Sequence, residues 1–151
     1  MPNKFVADTM LGRLARWLRI MGYDAHYRPF YKPGQIRSLV NEGRIFLTRN
    51  SRWRLRCQSA VFLSSDHVGE QLGQMQREGF IPVDSAAWFT RCMLCNEPLL
   101  EAPPEAAREN VPEYVFLRNP TGIRFCPSCN RFFWPGSHKQ NMLAQLKAWG
   151  F

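Results

Sequence analysis

Residues 5–22 read Phe5-Val6-Ala7-Asp8-Thr9-Met10-Leu11-Gly12-Arg13-Leu14-Ala15-Arg16-Trp17-Leu18-Arg19-Ile20-Met21-Gly22. Three apolar residues closed by Asp8 predict a short buried strand with a carboxylate at its end. Met10, Leu11, Leu14, Trp17, Leu18 and Met21 then recur at helical spacing, and Gly22 predicts the helix stop. Asp8 at such a junction suits two roles, a cap accepting from the backbone of Met10 or Leu11, or a metal ligand. Arg13, Arg16 and Arg19 step by three along the same helix and predict a basic ridge beside its apolar stripe.

The alternation continues outward from this unit. Residues 23–34 are aromatic and punctuated by Pro and Gly, which predicts a loop. Ile36, Leu39 and Val40 predict a second helix beginning after Pro33. Ile45-Phe46-Leu47 and Val61-Phe62-Leu63 predict further strands, and Leu72 and Met75 a helix ending at Gly79. Phe80 to Val83 predicts a fourth strand. Continuously apolar strands separated by helices imply an α/β fold with a parallel sheet covered on both faces. Ligands of such sheets collect at the carboxyl ends of the strands. Asp8, Thr48 to Asn50, and Ser64 to Asp66 all follow strands and are candidates to converge. Asp66 is also placed to cap the helix that runs toward Glu78.

The character of the chain changes near Arg91, which predicts two parts, residues 1–90 and residues 91–151. Cys92-x2-Cys95 and Cys126-x2-Cys129 are separated by 30 residues. Two residues between thiolates let both sulfurs of a tight turn reach one tetrahedral ion, so the four cysteines predict a structural zinc and a C-terminal zinc ribbon. Asn96 and Asn130 follow the pairs, and Asn tolerates the left-handed backbone that such turns require. A redox CxxC opens a helix and needs one pair, whereas both pairs here lie in turn-like contexts. A site filled by four thiolates has no open position for substrate. Cys57, the fifth cysteine, reads as a small apolar packing residue. Glu97 to Glu113 is rich in Pro and Glu, and Pro103-Pro104 argues against a long strand there. A closing helix from Ser137 is predicted by Met142, Leu143, Leu146 and Trp149. Apart from the two cysteine pairs there is no internal repeat.

Among 151 residues, 45% are hydrophobic, enough for a core. No apolar run approaches the roughly 18 residues of a membrane span. Arg13, Arg16 and Arg19 interrupt any leader-like stretch, so the expectation is a soluble cytoplasmic protein. The formal net charge is +8. It is concentrated in residues 1–90, with 13 Lys/Arg against 7 Asp/Glu, while residues 91–151 carry 7 against 5. A basic surface attracts polyanions. Arg49, Arg52, Arg54 and Arg56 crowd around Trp53 directly after a strand, a composition suited to phosphate contact and base stacking.

The opening motif Phe5 to Arg19 resembles the Mut-seven C-terminal RNase family. So do Gly22-Tyr23-Asp24, Glu42-Gly43-Arg44-Ile45, Leu47-Thr48-Arg49, Gln71-Leu72, Arg91-Cys92 with Cys95-Asn96, and Trp134 with Gly136-Ser137-His138. The resemblance covers nearly the whole chain. It implies a PIN-like nuclease domain joined to a zinc ribbon, with acidic residues at strand ends holding Mg or Mn for phosphodiester hydrolysis. Hard cations take oxygen ligands and activate water. Asp8 matches the first acid of the family. The position after Leu47-Thr48-Arg49 is usually Asp in the family and is Asn50 here. Lys32-Pro33-Gly34-Gln35 also lacks an acid expected near the second helix. Asp66 and Glu70 lie where a further acid would sit.

Three functional readings follow. In the first, the chain is a Mg- or Mn-dependent endoribonuclease centred on Asp8, Asn50 and Asp66, with Arg13, Arg16, Arg49, Arg52, Trp53 and His138 contacting RNA. In the second, it is an RNA-binding protein on the same fold whose catalytic centre has decayed. In the third, it is a protein-interaction module that uses the acidic insert Glu97 to Glu113. His138 also suits a packing role beside Phe132 and Trp134.

Overall fold

The computed structural model describes residues 2–151. The chain divides into two compact units, Met1–Asn96 and Glu97–Phe151.

The first unit is built on four parallel strands, β1 (Lys4–Ala7), β2 (Asp24–Tyr27), β3 (Ile45–Thr48) and β4 (Val61–Phe62), in the order β2-β1-β3-β4. Between them run α1 (Gly12–Ile20), α2 (Gln35–Asn41) and α3 (Trp53–Arg56), and α4 (Val68–Arg77) follows. Strand alternation sends Val6 and Phe46 to one face and Phe5, Ala7 and Leu47 to the other. Val6 and Phe46 form a buried cluster with Ile36 of α2, closed by Leu39, Val40 and Trp53. Helix α1 packs on β1, β2 and α4. Its buried Leu14 and Leu18 belong to the apolar stripe that the helical spacing predicts, and Ala15 is buried beside them. The parallel, helix-flanked sheet is therefore the α/β architecture expected from the sequence.

Helix α1 ends where Gly22 adopts φ +94. The Gly22 N–H donates to Arg19 O and the Tyr23 N–H to Leu18 O, so the last carbonyls are satisfied by a left-handed turn. A Cβ at Gly22 would also stand 2.3 Å from Ala87 O, so both backbone sign and space require glycine here.

Three local expectations need correction. Residues 24–27 are a strand, not a loop. Only Ala25 of β2 is buried, so this outermost strand carries too little apolar signal to be read as one. Residues 80–83 are not a strand: the Phe80 N–H closes α4 on Met75 O, and Pro82 brings no donor to a ladder. Asp66 does not cap α4, because the N-cap is His67 and its N–H is taken by Ser65 Oγ at 3.0 Å.

The second unit holds an antiparallel three-stranded sheet of β5 (Leu100–Glu101), β6 (Arg124–Phe125) and β7 (Phe132–Phe133). The Pro- and Glu-rich insert forms two helices, α5 (Pro104–Asn110) and α6 (Glu113–Arg118). Pro104 opens α5 and Pro112 caps α6, positions where a missing N–H costs nothing. Ala107, Val111, Val115 and Ile123 make the core of this unit, with Phe116, Phe132 and Trp134 packed against it. Helix α7 (Ser137–Ala148) closes the chain, burying Leu146 fully while Leu143 stays exposed.

Candidate functional site

The strand order places β1 beside β3, with the chain leaving β1 toward β2 on one side and returning to β3 on the other. The carboxyl ends of β1 and β3 thus flank the reversal point where open α/β sheets bind ligands. Asp8 follows β1 there and is buried, 5% exposed. It is not the side-chain cap of α1, whose N-cap is Leu11. Instead Oδ1 accepts from the Thr9 N–H at 2.8 Å, and Oδ2 accepts from Thr48 Oγ1 at 2.6 Å. Thr48 Oγ1 in turn accepts from the Asn50 N–H at 3.0 Å. Thr48 thus fixes the carboxylate to the end of β3, a role its place after Leu47 in the sequence hints at without revealing.

Two tyrosines from the β2 side hold the backbone around Asp8. Tyr31 Oη donates to Ala7 O at 2.9 Å, and Tyr27 Oη donates to Thr9 O at 2.8 Å. Tyr31 Oη also accepts from the Arg28 N–H at 3.1 Å and lies 3.2 Å from His26 Nδ1. Burial, with the Asp8 charge adding to it, pushes the Tyr31 hydroxyl up to about 12, so it keeps its proton at neutral pH. Burial and the positive charges of Arg28, Arg44 and Arg19 lower the His26 pKa, so the ring is neutral. The sequence reading assigns neither tyrosine a role because it takes their aromatic, Pro- and Gly-punctuated segment for a loop.

The other expected site residues are less convergent. Asn50 is half-buried and its Oδ1 accepts from the Arg52 N–H at 3.1 Å, a local turn. The Asp66 side chain is 75% exposed and sits 3.5 Å from its neighbour His67. Glu70 accepts from Ser65 Oγ. Arg13 and Arg16 are exposed on α1, but Arg19 turns inward. Arg49 Nη1 donates to Leu63 O and Ser64 O at 3.1 and 2.9 Å. Arg52 is exposed, while Trp53 packs edge-on against Phe46 with ring centroids 4.9 Å apart. His138 is exposed in the first turn of α7. Cys57 packs, half-buried, against the Val6–Ile36–Phe46 cluster.

The Sγ atoms of Cys92, Cys95, Cys126 and Cys129 all lie within 4.8 Å of one another. Tetrahedral zinc with Zn–S near 2.3 Å needs sulfurs roughly 3.8 Å apart, so the set could hold a metal such as zinc. No disulfide joins any of the five cysteines. Asn96 and Asn130 adopt φ +63 and +59, the left-handed turns expected after each pair. Their N–H groups donate to Cys92 O and Cys126 O at 2.9 and 2.8 Å, and the Cys95 N–H points to Cys92 Sγ at 3.4 Å. Among the described residues this is the one group of three or more His, Cys, Asp or Glu side chains able to hold an ion.

The first knuckle is knitted to the sheet of its own unit. Asn96 Nδ2 donates to Asp24 Oδ1 at 2.7 Å, and Asn96 Oδ1 accepts from the Ala25 N–H at 3.0 Å. Arg19 donates to Ala25 O at 2.9 Å and to Met93 O and Leu94 O at 3.0 and 3.2 Å. Arg44 grips Asp24 through both oxygens, at 2.7 and 3.2 Å. Burial acts to raise the Asp24 pKa, but hydrogen bonds from Arg44 and Asn96 and the charges of Arg44 and Arg91 outweigh it and lower the pKa.

A parallel helix-flanked sheet with a carboxylate at its reversal point, together with a cluster of four cysteines, defines an α/β protein consistent with a zinc ribbon. The family model of the Mut7-C RNAse domain matches residues 3–146. The chain therefore belongs to the Mut7-C RNAse domain family. No curated protein and no solved structure matches it significantly. Among the described residues no helix is long and apolar enough to cross a membrane.

Proposed function

We propose that this chain binds RNA at the carboxyl end of its parallel sheet, on a ribonuclease fold whose acidic centre is reduced to Asp8. The observation that carries this reading is the isolation of that carboxylate. Both Asp8 oxygens accept from the protein's own donors, and no group of acids gathers around it among the described residues. Asn50 spends its carbonyl on the Arg52 backbone, and Asp66 is exposed beside His67. These residues do not fit a Mg or Mn centre built from several carboxylates, which needs negative oxygens to offset the cation. Arg13, Arg16 and Arg52, exposed and basic, are the phosphate contacts of this reading.

Cys92, Cys95, Cys126 and Cys129 hold one structural zinc in the same proposal. A bound zinc would be closed to substrate and would fix the shape of the two knuckles. Elemental analysis should find about one zinc per chain, and Cys126→Ser should lower that content. A metal-free protein with unchanged stability would overturn the zinc assignment.

A second reading, a Mg- or Mn-dependent endoribonuclease, is favoured by family membership and by the place of Asp8 at the reversal point. Incubation with mixed RNA and Mn²⁺ separates the two. Tight, salt-sensitive binding without cleavage supports RNA binding, because phosphate contacts release counterions. Cleavage that disappears in Asp8→Ala, with folding intact, supports the enzyme and sinks the first reading. Cleavage gained only in Asn50→Asp would identify the missing carboxylate. Absence of RNA affinity at low salt would remove both and leave the protein-interaction reading.

A further inference from the structure

We propose that the segment between β2 and α2 is a stacking platform for single-stranded RNA, on which Phe30 receives an unpaired base and Arg28 and Lys32 meet the flanking phosphates. The inference rests on the RNA-binding reading above and adds a subsite to it. Residues 25–41 contain Arg28, Lys32 and Arg37 and no Asp or Glu. Within this basic stretch Phe30 is 73% exposed. Burial of a Phe side chain is favourable, and the segment forgoes that gain at this position.

The exposure is not the fraying of a slack loop. On one side the Arg28 N–H is held by Tyr31 Oη, and Tyr27 Oη is held by Thr9 O. On the other side Tyr31 Oη is held by Ala7 O, and the Lys32 N–H donates to Gln35 Oε1 at 3.1 Å. The backbone on both sides of Phe30 is thus fixed while its ring remains open to solvent. The same tyrosine bonds attach the segment to Ala7 and Thr9, the two residues that bracket Asp8. An aromatic ring on a rigid base, between two exposed cations and beside the reversal point, matches what an unpaired base and its backbone require. Stacking uses the face common to all bases, and the cations take the phosphates. A duplex keeps its bases stacked inside and presents no free face to Phe30.

The test is the affinity of the zinc-loaded full chain for a fluorescent uridine 12-mer, measured across a salt series, with a duplex of equal length as control. Phe30→Ala should weaken single-strand binding about 5- to 150-fold, the range for one lost stacked base, without changing the salt slope or the thermal midpoint. Phe30→Trp should restore it. Arg28→Ala should reduce the magnitude of the salt slope by about 0.7, the share of one phosphate on a single strand. Duplex affinity should be the same in Phe30→Ala and Phe30→Trp as in the unmodified chain. Unaltered 12-mer binding in Phe30→Ala would overturn the platform while leaving RNA binding in place. Equal losses on duplex and single strand would also overturn it. No 12-mer binding by the unmodified chain at low salt would overturn the platform and the RNA-binding reading together.

Discussion

Replacing Asn96 by Ala should destabilise the first unit well beyond the effect of an ordinary surface substitution. Three contributions add. The Asn96 Nδ2 bond to the Asp24 carboxylate at 2.7 Å is charge-assisted and worth about 1.5–3 kcal/mol. The Ala25 N–H, on a fully buried residue, loses its acceptor at a cost of about 1–3 kcal/mol. Alanine at φ +63 adds about 1–2 kcal/mol of backbone strain. The first contribution is partly recovered, since the Asp24 side chain is 22% exposed and keeps Arg44. A net loss of about 3–4 kcal/mol is expected. At roughly 2–4 °C per kcal/mol for a chain of this size, the thermal midpoint should fall by about 10 °C. Far-UV circular dichroism of the zinc-loaded protein measures the midpoint, and amide exchange at Ala25 reports the local opening. Asn96→Gly removes the strain but not the lost bonds, so it should recover about 1 kcal/mol. Asn96→Asp retains an acceptor for Ala25 but sets a second carboxylate against Asp24, and should be the worst of the three at pH 7. The Asp24 pKa is lowered by folding, so its contribution is present above the unfolded value near 3.9 and fades as pH falls through the folded one. The deficit of Asn96→Asp should therefore shrink in acid. Midpoints of Asn96→Ala and Asn96→Gly within 2 °C of the parent, with unaltered exchange at Ala25, would refute the account.

Two other outcomes follow from the strand-end site. Thr48→Val keeps the shape of a buried residue but removes the donor to Asp8 and the acceptor for the Asn50 N–H, so it should cost about 2–3 kcal/mol in urea unfolding, while Thr48→Ser retains most of the stability. The Tyr31 pKa is raised from 10 to about 12 by folding, so the stability this group contributes is complete below pH 10 and lost as pH rises toward about 12; phenolate absorbance should show a component titrating near pH 12 that Tyr31→Phe removes, beside Tyr23, which burial also shifts upward.

Much of the first unit was legible because its strands are short apolar runs and its first helix has a clear stripe. Phe5-Val6-Ala7, Ile45-Phe46-Leu47 and Val61-Phe62 all lie in the parallel sheet. Strand β2 was not legible, since Asp24, His26 and Tyr27 are chosen for their hydrogen bonds and not for burial. The helices α5 and α6 are signalled by Pro104 and Pro112 at their starts, but the sequence reading uses Pro103-Pro104 only against a strand and gives Pro112 no role. Spacing alone gathered the four cysteines, because two thiolates on one tight turn admit few geometries. The surroundings of Asp8 were hidden for the opposite reason. Thr48, Tyr27 and Tyr31 reach it or its flanking backbone from strands and loops far apart in sequence, and no local pattern records such a meeting.

Arg19 and Asn96 have a consequence beyond holding a turn in place. Strand β2 is a free margin of the sheet, and such margins invite other chains to add a strand through their open N–H and C=O groups. At Ala25 both groups are already occupied, the N–H by Asn96 and the carbonyl by Arg19. Arg19 of α1 and Asn96 of the first knuckle therefore act as a guard against intermolecular β-pairing at this residue. At Ala25 they leave no backbone group for a stray strand to pair with, and on the opposite margin the Phe62 carbonyl of β4 is likewise taken, by Gln74 Nε2 at 2.9 Å.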